Sequence, residues 1–217
     1  MGNKFFLVSQ KKMSKRNPIE VFSDWADLDK DFGMEKNHSA SVENMLDFAL
    51  KNQQTPFSFI DAGCGNGWVV RKVAELPNCY AALGVDGSEK MIQKAKKIDP
   101  SRAYYCADLT SWTPESKVDL VHSMEVFYYL NDPKIIIQRI FNDWLKAGGR
   151  LIVGLDFYLE NKTSHDWPES CGINSMKLFS QHEWVDFFKA AGFHSVESWR
   201  HGAEKNWEGT LIVTGIK

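Results

Sequence analysis

The stretch that decides the fold is Phe57-Ser58-Phe59-Ile60-Asp61-Ala62-Gly63-Cys64-Gly65-Asn66-Gly67-Trp68. An apolar run of strand length meets alternating glycines, and Trp68 then opens a helical stretch reaching Glu75. Glycines at such a turn remove side chains, so that a ligand can lie against bare backbone at the carboxyl edge of a sheet. A dinucleotide fingerprint would need a further glycine at position 68, where tryptophan stands. The glycines alternate instead, and an acid, Asp61, precedes them.

The same rhythm repeats downstream. Ala81–Val85 reads as a strand before a helix over Ser88–Ile98, and Ala103–Cys106 and Val118–His122 read as further strands. Asp132-Pro133 opens a helix carrying Ile136, Ile137, Ile140, Phe141 and Trp144; Gly148-Gly149 stops it before a strand at Arg150–Leu155. Strands alternating with helices imply right-handed crossovers and a parallel sheet covered on both faces. Upstream, Asn17-Pro18 is an N-cap and first turn for a helix with Val21, Phe22 and Trp25 on one face. A second helix is expected from about Ser41, on the spacing of Val42, Met45, Leu46, Ala49 and Leu50.

The C-terminal third differs. Residues 157–178 show no clear period and read as an excursion. Ser180 and Glu183 are spaced as a capping box for a helix ending at Gly192. Val196–Trp199 and Thr210–Thr214 then form an antiparallel hairpin at one sheet edge. The chain therefore divides into a flexible tail over 1–16 with the basic residues Lys11, Lys12, Lys15 and Arg16, a helical cap over 17–56, and an α/β domain over 57–217 with an insertion at 156–180.

Of the 217 residues, 43% are hydrophobic and 25% charged, which is a globular composition and not a disordered or fibrous one. Lysine and arginine number 26 against 28 acids, so no positive footprint for a phosphate backbone exists and nucleic acid is not expected as a partner. The cysteines Cys64, Cys79, Cys106 and Cys171 form no CxxC pair, so they read as free thiols of a reducing compartment, with no metal site. Phe5–Val8 is too short for a signal-peptide core, and no run approaches the ~20 apolar residues that span a bilayer. A cytoplasmic protein with no membrane contact is expected.

Two more acids mark the ligand. Asp86 ends the second strand about 20 residues past the last glycine, where a carboxylate can accept both hydrogen bonds of a ribose diol. Asp108, in Cys106-Ala107-Asp108-Leu109, stands at the edge of the third strand, where it can accept from an exocyclic amine beside the apolar wall of Leu109. A ribose and an aminated base together make an adenosine. Taken singly each acid could be a turn former; three at consecutive strand ends point to a site.

With Val121-His122-Ser123-Met124-Glu125-Val126 at the end of the fourth strand and the Leu145–Leu151 turn after the helix, these features resemble the class I (Rossmann-like) S-adenosylmethionine-dependent methyltransferases. The resemblance covers 57–155 tightly. It implies a doubly wound, mostly parallel seven-stranded α/β sheet with an antiparallel C-terminal hairpin strand, and S-adenosyl-L-methionine as cofactor. It also implies that Asp61 and the Gly63-Cys64-Gly65-x-Gly67 backbone hold the methionine part, Asp86 with Gly87 the ribose, and Asp108 with Leu109 the adenine. Ser123 lies at the same edge, and His38, expected to open the second helix, is a candidate for the cofactor carboxylate.

The acceptor is expected beyond Ser123–Glu125, roofed by the N-terminal helices and the excursion. No Asn/Asp-Pro-Pro-Tyr/Phe run follows the fourth strand, which argues against exocyclic amines of nucleic acid. Asp156, Phe157, Tyr158, Glu160, His165, Asp166, Trp167 and Glu169 give the excursion rings and carboxylates that suit a cationic acceptor. Glu125, Tyr128 and His165 are the catalytic candidates, with Tyr129 as an alternative lining ring and His122 as a core histidine. The expectation is a monomer or homodimer that methylates a small molecule by in-line displacement, with an amine nitrogen preferred. A non-catalytic adenosyl-binding protein, a peptide methyltransferase and a nicotinamide oxidoreductase are the alternatives.

Overall fold

The computed structural model describes residues 15–217. The sequence-derived tail falls mostly outside these residues, apart from Lys15 and Arg16. Arg16 is already ordered, because its backbone N–H donates to the Gly172 carbonyl at 2.9 Å and its carbonyl accepts from Asn174 N–H at 2.9 Å.

Helix α1 (Pro18–Asp27) starts where expected, with the Asn17 side chain accepting from Ile19 N–H. Helix α2 (Asp31–Leu50) begins ten residues before the expected Ser41. Its early part, Phe32 to Ala40, buries little and so carries no apolar period; tertiary hydrogen bonds at Asp31 hold it instead. Strand β1 (Phe57–Ala62), helix α3 (Trp68–Ala74), strand β2 (Cys79–Asp86), helix α4 (Glu89–Ile98) and strand β3 (Ala103–Cys106) follow as the sequence rhythm indicated. Strand β4 (Val118–Met124) leads through a 3-10 turn at Phe127–Tyr129 into helix α5 (Pro133–Arg139). The chain then widens into a π turn at Ile140–Trp144, and strand β5 (Leu145–Leu155) takes over at once. The helical path therefore ends at Trp144, before Gly148-Gly149, because the buried Trp144 and Leu145 lock the chain into the core. A short helix α6 (Trp167–Ser170), the capped helix α7 (Gln181–Ala191), and strands β6 (His194–His201) and β7 (Thr210–Ile216) complete the chain. The Ser180–Glu183 capping box is present in full.

The seven strands lie in the order β3-β2-β1-β4-β5-β7-β6. Strands β1 to β5 run parallel, and β7 pairs antiparallel with both β5 and β6. β1 is central and every residue in it is buried, as a strand covered on both faces must be. One face packs on α2, α3 and α4 through Val42, Met45, Val70, Val73 and Ile92. The other packs on α5, the π turn and α7 through Ile136, Ile140, Trp144, Trp184 and Phe188. The strand order reverses between β1 and β4, so a crevice opens where their carboxyl ends diverge. Among the described residues no helix is long and apolar enough to cross a membrane.

Candidate active site

A cavity of about 670 Å³ fills this crevice, within the range of small-ligand sites. Its floor is the glycine loop. Gly63 and Cys64 N–H both donate to the Val85 carbonyl, at 2.7 and 3.1 Å, which pins the loop to β2. Gly63 has φ +83°, and a Cβ there would meet Val126 Cγ2 at 2.2 Å, so glycine is required. At Gly67 (φ +79°) the ring of Tyr104 occupies the same space. Gly67 thus serves the turn into α3 and does not line the cavity, whereas Asn66 and Trp68 on either side do.

Asp86 is oriented by two backbone donors: Gly65 N–H to Oδ2 at 3.0 Å and Ser88 N–H to Oδ1 at 2.7 Å. Burial raises its pKa, and these donors partly offset that rise. Asp108 accepts from Thr110 N–H and Thr110 Oγ1, both at 2.8 Å, so it forms a turn and lines the cavity at once. Leu109 beside it is buried. Asp61 also lines the cavity, with its Oδ1 2.7 Å from His122 Nδ1. His122 Nε2 is buried without a partner, a polar atom at the cavity wall that a bound ligand can satisfy. A bare loop, a strand-end carboxylate and an apolar ledge fit an adenosyl ligand joined to an amino acid.

The comparisons with known proteins agree. Residues 60–153 match the family described as "Methyltransferase domain". Trans-aconitate 2-methyltransferase of Rhizobium etli is 36% identical over 94 residues, covering 43% of this chain and 36% of that protein. The match thus spans about a third of that curated relative's length. The methyltransferase in the complex with the Haloferax volcanii Trm112 methyltransferase activator is 27% identical, with a TM-score of 0.77 over 94% of this chain and 99% of that one. N-methyltransferase NodS of Bradyrhizobium japonicum, in complex with S-adenosyl-L-homocysteine, shares the fold at 18% identity and a TM-score of 0.63, over 81% and 84% of the two chains. Residues 60–153 are thus similar to a methyltransferase domain, and the chain as a whole shares the fold of S-adenosylmethionine-dependent methyltransferases.

Of the residues the sequence nominated for the cofactor, Asp61, Gly63, Cys64, Gly65, Asp86, Gly87, Asp108 and Leu109 all line this cavity. Ser123 does not; its hydroxyl donates to the Ala62 carbonyl at 2.7 Å and ties β4 to β1. His38 lies inside α2, not at its start, and its Nε2 stands 3.5 Å from Asp156 Oδ2. Burial alone would lower its pKa, but Asp156 and Glu125 outweigh burial and raise it.

Glu125 also lines the cavity. It follows β4 with φ +61°, an unusual conformation for a non-glycine residue. Its N–H donates to the Gly154 carbonyl at 2.9 Å, and its carboxylate accepts from Tyr128 Oη at 2.6 Å and from the Asp156 N–H. Burial, then the charge of Asp156, pushes its carboxyl up to about 8, against the opposing pull of His38 and Tyr128. Tyr128 is fully buried, does not line the cavity, and bonds both Glu125 and the Tyr129 hydroxyl, so it holds the acid from behind, while Tyr129 lines the cavity.

His165, like Gly67 and Ser123, lies away from the cavity lining. Its Nε2 lies 3.1 Å from the Leu159 carbonyl. The rings of the excursion are likewise spent on packing: Phe157 and Tyr158 are buried, and Trp167 stacks on Trp207. Ser175 is the excursion's contribution to the lining among the described residues. The roof is made instead by α1 and α2, through Pro18, Ile19, Phe22, Asp31 and Met34.

Sequence reading missed Asp31 and Asn66. Asp31 Oδ2 accepts from Asn66 Nδ2 at 2.8 Å and its Oδ1 accepts from Lys94 Nζ at 2.7 Å, which fastens the roof to the glycine loop and to α4. No local pattern marks such a long-range pair.

Proposed function

We propose that this chain transfers a methyl group from S-adenosylmethionine to an amine nitrogen of a small molecule. The cofactor, when bound, supplies a methyl carbon on a positive sulfonium with a neutral thioether as leaving group. The protein needs to hold it, align the acceptor and exclude water. Asp86 and Asp108 are placed to accept from the nucleoside, the Gly63–Gly65 backbone to meet the amino-acid part, and α1 with α2 to cover both.

The observation that carries the amine reading is the charge of the lining. Asp31, Asp61, Asp86, Asp108, Glu125 and Asp132 line the cavity, and among the described residues no lysine or arginine does. A tricarboxylate such as the acceptor of the trans-aconitate relatives would meet carboxylates with no matching cations. Tyr129 and Phe22, 5.2 Å apart edge to face, add ring surface at the same end. Incubation with methyl-labelled cofactor and matched panels of amines and carboxylic acids tests this, with label expected on the amines. Label appearing on trans-aconitate and on no amine overturns it.

The whole-chain likeness to the Haloferax methyltransferase supports a second reading about partners, in which this chain works bound to an activator protein. Co-expression with such a protein should then raise soluble yield and turnover; unchanged yield and turnover speak for the chain acting alone.

A further inference from the structure

The acceptor end holds a combination of groups that cofactor binding does not explain. His38 from α2, Glu125 after β4 and Asp156 after β5 bring one imidazole nitrogen and two carboxylates within 4.8 Å of one another. Asp156 Oδ1 is buried and has no partner. His38 and Glu125 line the cavity, and Asp156 stands behind them. Glu125 is aimed by four fixed points: its own left-handed backbone, the Gly154 carbonyl, Tyr128 Oη and the Asp156 N–H.

On the methyltransferase reading above, we propose that this cluster receives the acceptor as an ammonium ion and that the Glu125 carboxylate takes its proton. One N–H bond breaks, its electron pair stays on nitrogen, and a Glu125 oxygen gains the proton. The freed lone pair is what attacks the methyl carbon. The methylated nitrogen is again a cation, so charge is conserved, and Glu125 releases its proton to water as product leaves.

The chemistry is matched to the task. The titratable groups facing Glu125 are His38 on α2, Tyr128 and Tyr129 on the turn after β4, and Asp156 after β5. Burial, then the charge of Asp156, outweighs the pull of His38 and Tyr128 and leaves its carboxyl at about 8. An alkylammonium titrates near ~10.4, so proton transfer to Glu125 is unfavourable by about 250-fold, against about a millionfold for an ordinary carboxyl. The first is a workable pre-equilibrium and the second is not.

The test starts with binding. Titration of the S-adenosylhomocysteine-bound protein with methylammonium and butylammonium chloride at pH 7, in two buffers of different ionisation heat, should show binding with release of close to one proton. Glu125→Gln should lose the proton release and keep its affinity for S-adenosylhomocysteine. In turnover of primary amines, the wild-type acid limb of kcat/KM should lie near pH 8. Asp156→Asn should move that limb down and Tyr128→Phe should move it up, because the two neighbours act on Glu125 with opposite sign. Glu125→Gln should remove the limb and slow turnover by about 10²–10⁴-fold. Absence of alkylammonium binding, a limb that ignores both neighbour variants, or activity lost to EDTA and restored by manganese overturns the proposal. If wild-type protein does not bind S-adenosylhomocysteine, the methyltransferase reading itself fails. If it binds but labels only oxygen acceptors, the amine reading and the proton-acceptor role fall together while the methyltransferase reading stands.

Discussion

Replacing Glu125 by glutamine should shift the fold's stability further in the variant's favour as pH rises. Glutamine keeps the shape and removes the charge. The folded carboxyl titrates at about 8, against about 4.5 for an ordinary glutamate. Between those values the folded state holds a proton that the unfolded chain has lost, so wild-type stability falls as pH rises. Each pH unit in that window is worth about 1.4 kcal/mol, so the accumulated penalty is about 1 kcal/mol at pH 5, about 3 at pH 7 and about 5 at pH 9. Glutamine avoids the penalty. It also weakens one of the two hydrogen bonds from Tyr128 Oη and the Asp156 N–H, a pH-independent loss of about 1–3 kcal/mol. The decisive quantity is therefore the change in the gap between variant and wild type. From pH 5 to pH 9 it should move by about 4 kcal/mol in favour of the variant. For a chain of this size that is roughly 8–16 °C in Tm. Denaturant melts at both pH values measure it. A gap that stays constant within about 1 kcal/mol across that range would refute the reasoning, since it would mean that Glu125 is ionised in the folded protein much as it is in the unfolded chain.

Asp86→Ala should weaken S-adenosylhomocysteine binding by about 1.5–3 kcal/mol, roughly 10- to 150-fold, because the ribose loses hydrogen bonds to a charged group; isothermal titration reads this directly. Gly63→Ala forces a Cβ to 2.2 Å from Val126 Cγ2 at φ +83° and should cost about 1–3 kcal/mol of stability in urea melts. Asp31→Ala leaves the buried Asn66 amide without its acceptor, a loss of about 1–3 kcal/mol in the same melts. Asp31→Asn, which keeps one acceptor oxygen, should recover part of it.

How far the sequence could be read follows from which interactions are local. Strand-to-helix alternation, the Asn17 and Ser180 caps and the glycine loop are set by neighbours within a few residues, and each stands where the sequence places it. The early half of α2 was hidden because it satisfies no apolar period; Asp31 fastens it through partners 35 and 63 residues away. His165 shows the opposite failure. A histidine among rings and acids looks functional in one dimension, but its loop turns it onto a backbone carbonyl.

Asp156 is the instructive case: the sequence offers it among the carboxylates of the excursion, and the strand-end rule used for Asp86 and Asp108 singles it out from them. Asp61 lies in β1, Asp86 ends β2, and Asp108, Glu125 and Asp156 stand within two residues after β3, β4 and β5. Every parallel strand thus delivers an acid to one edge of the sheet. Three of these meet hydrogen-bond donors that suit a nucleoside and its amino-acid tail: the Gly65 N–H, the Thr110 hydroxyl and the His122 ring. The remaining two stand together, one with a buried oxygen that nothing satisfies. Carboxylates are costly to bury side by side unless a positive group comes between them. The same edge geometry therefore also explains why the end of the cavity at Glu125 should welcome a cation: the fold collects negative charge there, and His38 stands against that pair as a group that can carry positive charge.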